Sequence, residues 1–111
     1  MITPTSTTKQ LIPIINQLFI METKIGKGAE EMKGLQRNLD RIKRFLEEMG
    51  LSYHNPIGEF YDETRTDCEA SISGDQTEDL KITEVIKPII RQEIHGLSTI
   101  VQRAVVIVEG R

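Results

Sequence analysis

Few residues in this 111-residue chain carry groups able to make or break bonds, and their spacing does not suit catalysis. The single cysteine, Cys68, has no second cysteine to pair with, and it alternates with Ala70 and Ile72 while Glu69, Ser71 and Ser73 lie between. That two-residue period belongs to a half-buried strand, so Cys68 is expected to be a small buried hydrophobe rather than a nucleophile. The two histidines, His54 and His95, lie far apart along the chain and read as exposed loop residues. Asp75, Glu78 and Asp79 offer oxygen donors but lack the regular spacing of a calcium loop, which leaves a solvated acidic turn. No glycine-rich phosphate loop, nucleophile elbow or paired Cys or His spacing for zinc occurs. The chain is therefore expected to be no enzyme and to use no metal or cofactor.

Charge and composition narrow the partners. Fourteen Lys and Arg against seventeen Asp and Glu leave a net charge of −3, with no basic stripe and no tryptophan, so nucleic acid is not an expected partner. Asn16 and Gln17 interrupt the most apolar run, which falls short of the ~20 residues a membrane span needs. The start Met1-Ile2-Thr3-Pro4 has no positive region followed by an apolar one, and with one cysteine a reducing cytoplasm is the expected compartment. A 38% hydrophobic chain of this length makes one domain's worth of protein with a thin core, which sharing apolar surface with a second copy would thicken.

The periodicity divides the chain. Residues 1–10 are Thr-rich, contain Pro4 and show no apolar period, so they are expected to form a flexible tail. Leu11, Ile14, Leu18, Met21 and Ile25 then recur at alternating spacings of three and four, with Ile12, Ile15 and Phe19 as a second stripe alongside. Pro13 predicts a helix start or kink near that point. After Gly26-Lys27-Gly28, the positions Met32, Leu35, Leu39, Ile42, Leu46 and Met49 repeat the same rhythm among charged residues, predicting a helix over 29–49 that stops at Gly50. A two-striped helix and a one-striped helix do not bury each other completely, and two hairpins from two chains would. Residues 11–51 are thus expected to be a helical dimerisation region forming a four-helix bundle. Leu11, Ile14, Ile15, Leu18, Met21, Leu35, Leu39, Ile42 and Leu46 are its expected interface.

From Gly50 the period changes. Residues 54–67, with Pro56 and Gly58, read as an irregular connector, followed by a strand at 68–73 and a polar turn at 74–79. Residues 80–87 are rich in β-branched types and stop at Pro88, while 99–108 alternate and end in the wholly apolar 104–108, a strand buried on both faces. Residues 52–111 are expected to form a small, mostly antiparallel β domain, making the class α+β.

Five segments in order resemble the C-terminal part of the GrpE family, nucleotide exchange factors of DnaK-type chaperones. Residues 11–18 (LIPIINQL) are similar to the family's L-L-P-V-x-D-N-L stretch. Gly34 and Gly50 stand at the family's glycine spacing, and residues 56–62 (PIGEFYD) look like P-L-G-x-x-F-D. Glu84-Val85-Ile86-Lys87-Pro88 is similar to E-V-x-Q-P, and residues 104–108 resemble the closing A-x-V-x-V. The resemblance departs where Cys68 stands in place of a family His, where Ile89 replaces a Gly after the Pro and where Gln102 replaces an Arg. The turn between Pro88 and Thr99 is also longer, and the family's long N-terminal coiled coil is missing. Either the chain is a short relative or a longer N-terminal part has been removed.

The resemblance implies a co-chaperone in protein folding and stress response. It implies a homodimer that binds the nucleotide-binding domain of a DnaK-type chaperone and opens its cleft so that ADP leaves. It carries partner contacts to Gly34, Tyr61, Asp62, Ile86, Pro88 and Val108. For Gly34 a tolerated helix defect, and for Ile86 and Val108 plain core packing, stand as equal readings. The altered β domain also admits a dimeric structural or regulatory module of the same fold without exchange activity.

Overall fold

The computed structural model describes residues 6–26 and 32–111. Two helices precede six strands, α1 (Ser6–Gly26) and α2 (Lys33–Glu48), then β1 (Leu51–His54), β2 (Cys68–Ser73), β3 (Lys81–Lys87), β4 (Ile89–Ile94), β5 (Leu97–Gln102) and β6 (Ala104–Glu109). The class is mixed α+β. The strands form two three-stranded sheets, of order β1-β4-β5 and β2-β6-β3. The chain divides into two compact units, one holding the described residues up to Ser52 with Arg91–Thr99, the other Tyr53–Ile90 with Ile100–Arg111.

In the first unit α1 begins at Ser6, earlier than the expected Leu11 and ahead of Pro13, which lies within the helix and marks no start. Tertiary structure recruits part of the supposed tail. Thr8 is buried, and its hydroxyl accepts a hydrogen bond from Gln92 Nε2 at 2.9 Å, so both polar groups are satisfied away from water. Residues 1–5 of that tail, and 27–31 of the expected break and second helix, lie outside the described residues. The helices contact each other, and Ile15, Leu18, Phe19, Leu39 and Leu46 are their buried apolar residues. Across the same contact Glu22 receives Gln36 Nε2 at 3.0 Å and Lys43 Nζ at 3.3 Å.

Helix α2 ends as expected at Gly50. The Met49 and Gly50 amides donate to the carbonyls of Leu46 and Glu47 at 2.9 Å, and Gly50 turns the chain with φ +79°. A second constraint comes from the fold, since a Cβ at Gly50 would collide with the Glu93 carbonyl oxygen. The Glu93 amide closes the same approach by donating to the Gly50 carbonyl at 2.7 Å.

In the second unit β6 is the central strand of its sheet, which accounts for the run 104–108. Ala104, Val106 and Val108 are buried on one face, and Val105 and Ile107 are half-buried on the other. They join Cys68, Ile82 and Ile89 in one apolar cluster, with Tyr61, Ala70, Leu80, Val85 and Ile100 packed around it. Within the expected mostly antiparallel arrangement one pair differs: β3 pairs with β6 antiparallel, whereas β2 runs parallel to β6 from Cys68↔Ala104 to Ser73↔Glu109. The long intervening chain frees β2 and β6 from the geometry of a tight hairpin, so their directions agree.

The stretch expected as a long turn between Pro88 and Thr99 is instead the β4–β5 hairpin. Its two-residue turn, His95-Gly96, has φ of +52° and +78°, the backbone pattern whose twist matches the flanking strands. The alternation over 99–108 is likewise not one strand. It breaks at Arg103, between β5 in one sheet and β6 in the other.

Candidate functional site

The helical unit leaves a second apolar row uncovered after its own core has closed. On α2, Leu39 and Leu46 are buried while Leu35, Ile42 and Met49, each seven residues from the next, are 48%, 39% and 53% exposed. Phe45, further round the helix, is 62% exposed. On α1, Ile14 and Met21 flank the buried Leu18 and are about half exposed. Of the expected interface residues, Ile15, Leu18, Leu39 and Leu46 are therefore buried within the unit and Leu11 is half-buried. Ile14, Met21, Leu35 and Ile42 face outward, with Phe45 and Met49 beside them. A seven-residue row is the seam that one helix offers another, and α2 carries two such rows side by side.

Gly34 lies in the first turn of α2, exposed, and a Cβ there would meet nothing within 4 Å. Nothing in the internal packing calls for a glycine at this position.

In the β unit the connector is held by Arg65. Its Nε donates to Asp67 at 2.7 Å, its Nη2 to Glu59 at 2.8 Å and its Nη1 to the Phe60 carbonyl at 2.9 Å. Glu59 also faces His54 Nε2 at 2.5 Å. The hydrogen bond from Arg65 holds the Asp67 carboxyl below its ordinary range, against a smaller opposing effect of burial. Burial pushes Glu59 up, but the hydrogen bonds from His54 and Arg65 together outweigh it and bring its carboxyl down. The guanidinium is held charged beyond its ordinary range, chiefly by Asp67.

Chemistry at Cys68 is suppressed. The residue is 1% exposed at the start of β2, and burial pushes its thiol up to about 11. The thiolate that nucleophilic attack requires is scarce at neutral pH. His54 and His95 are both exposed, and among the described residues no group of three or more His, Cys, Asp or Glu side chains is placed to hold a metal ion. No helix among them is long and apolar enough to cross a membrane.

The six residues matched to partner contacts separate by burial. Pro88 and Val108 are fully buried, which favours core packing over partner contact for both side chains. Tyr61 is half-buried against the apolar cluster, and Asp62 is exposed with its carboxylate bonded to Thr64. Ile86 is 51% exposed because the β3–β6 register skips it, Val85 pairing with Val106 and Lys87 with Val105. A bulge of this kind re-aims a side chain that a regular strand would turn inward. The outward Phe45 and the organising role of Arg65 were missed from sequence, whereas Met49 was read in the α2 row; the charged pattern around 59–67 was the available signal for Arg65.

Comparison with protein-family models, with curated proteins and with solved structures found no match to this chain.

Proposed function

We propose that this chain is a binding protein of the GrpE type. Two copies pair through their helices into a four-helix bundle, and the β unit engages the nucleotide-binding domain of a DnaK-type chaperone in the cytoplasm to promote ADP release. The observation that carries the pairing is the exposed apolar set, Ile14 and Met21 on α1 and the row Leu35, Ile42 and Met49 with Phe45 on α2, more apolar surface than a helix pair leaves to water without a partner. A second copy is the occupant that matches it, because a like helix pair offers the same spacing in return.

The exchange role draws support from the five resembling segments, from the open surface at Gly34 and Asp62, and from the bulge that turns Ile86 outward. Such a protein does no covalent chemistry. It binds the open form of the chaperone more tightly than the closed one, and ADP leaves as the population shifts.

Release of a fluorescent ADP analogue from a DnaK-type chaperone of the same cell tests this reading. Wild-type protein should accelerate release, and Gly34→Asp should abolish the acceleration while circular dichroism and dimerisation persist. No acceleration at tens of micromolar turns the assignment to the second reading, a dimeric interaction module without exchange. That reading is favoured by the burial of Pro88 and Val108 and by the β4–β5 hairpin in the region where the family pattern is departed from.

A further inference from the structure

Phe60 is the most exposed large apolar side chain among the described residues, with 75% of its surface open to solvent. Its backbone is nevertheless held on every side. Phe60 bridges Lys81, the adjacent Glu59 carbonyl receives the Ile82 amide at 2.9 Å, and the Tyr61 amide donates to Leu80 at 2.9 Å. Arg65 Nη1 fixes the Phe60 carbonyl from the other side. A ring this little packed on a backbone this firmly held is placed as the aromatic anchors of protein interfaces are, its backbone ordered before the partner arrives.

The ring borders a hollow of about 530 Å³. Half-buried Tyr61 and Leu80 and the exposed Ile72 make its apolar part, and Asp62, Glu63 and Asp79 supply three carboxylates with no Lys or Arg in the lining. Asp62 stays ionised, its carboxyl lowered by the hydrogen bonds from Thr64.

From this juxtaposition we infer that the Phe60 hollow docks an extended segment of a partner protein that carries an apolar side chain next to a Lys or Arg. The apolar side chain covers Phe60 and Ile72, and the cation lies over the aromatic rings within reach of the carboxylates. A second copy of this chain is a poor occupant, since a two-fold axis through the patch would set its carboxylates against themselves. The same carboxylates disfavour nucleic acid and anionic lipid in this hollow, the nearby cations Lys81 and Arg111 lining the adjoining hollow on the other side of Phe60. The inference needs no chaperone and stands apart from the exchange reading.

The test is fluorescence anisotropy of the full chain with three labelled hexapeptides, (Leu-Arg)3, (Leu-Gln)3 and (Gly-Arg)3. The Leu-Arg peptide should bind at least about tenfold more tightly than either of the others. Phe60→Ser should weaken it by at least about tenfold, and Asp79→Asn, which tolerates the left-handed backbone at that position, should weaken it and flatten its salt dependence. Leu97→Ser, an exposed apolar residue outside the hollow, should leave binding unchanged. Amide shifts in wild-type protein should centre on Phe60, Ile72 and Asp79. Equal binding of the Gly-Arg or Leu-Gln peptide, an unaltered affinity in folded Phe60→Ser, or no binding at hundreds of micromolar overturns the inference.

Discussion

Phe45→Ala is the sharpest perturbation of the proposed helix pairing, because the monomer does not depend on this ring. Phe45 is 62% exposed, so truncation removes little from the hairpin's own core. Full burial of such a side chain is worth about 1.5–3 kcal/mol, so covering the exposed part in a dimer contributes about 1–2 kcal/mol per protomer. An isologous interface counts each residue twice, giving about 2–4 kcal/mol, or roughly a thirty- to several-hundred-fold weaker dimer. Sedimentation equilibrium from micromolar to hundreds of micromolar reads the dissociation constant directly. Circular dichroism at the lowest concentration should match wild type. For wild type the melting midpoint should rise with protein concentration, as linkage to association requires. A wild-type chain that is monomeric throughout, or a Phe45→Ala dimer of unchanged affinity, refutes the assignment of this row. The buried Leu18 is a poorer probe, since Leu18→Asp breaks the hairpin itself.

Cys68 should react with a thiol reagent at pH 8 at least about a hundredfold more slowly than an ordinary thiol, from its scarcity of thiolate alone, and should speed up on unfolding; fast native labelling contradicts its burial. Gly50→Ala must hold a left-handed backbone and displace the Glu93 carbonyl, so it should cost at least ~2 kcal/mol in urea unfolding, and a neutral result would place the chain turn elsewhere. Asp67 and Glu59 both have lowered folded-state values, so the stability they contribute is present above the ordinary carboxylate range and is lost as pH falls through those lowered values. Arg65→Met should therefore lower the neutral-pH unfolding free energy by about 2 kcal/mol for its charged hydrogen bonds, and flatten the acid limb of the stability curve; an unchanged limb would remove Arg65 from the network.

Local backbone geometry left a clear trace in the sequence wherever one element could bury one face. The spacing over Met32 to Met49 and the stop at Gly50 announced α2, and the alternation of Cys68, Ala70 and Ile72 announced β2 and the burial of the thiol. The apolar run 104–108 announced a central strand. Other features depended on groups distant along the chain. The helix runs back to Ser6 because Thr8 meets Gln92, and β2 lies parallel to β6 because of where a strand 31 residues later comes to rest, Ser73 to Ala104. The β4–β5 hairpin turns on a histidine held at positive φ, which the sequence does not advertise as a turn residue. The candidate surfaces divide in the same way. A seven-residue row names every apolar position on a helix, but only the packed hairpin decides that Leu39 and Leu46 turn inward while Ile42 and Phe45 stay open. Likewise Val108 and Ile86 look alike as strand residues, and it is the β3–β6 register that sets Val108 against Ile82 in the core and bulges Ile86 into solvent. Periodicity follows from the chain's own dihedral angles, whereas inside and outside follow from which partner each face meets.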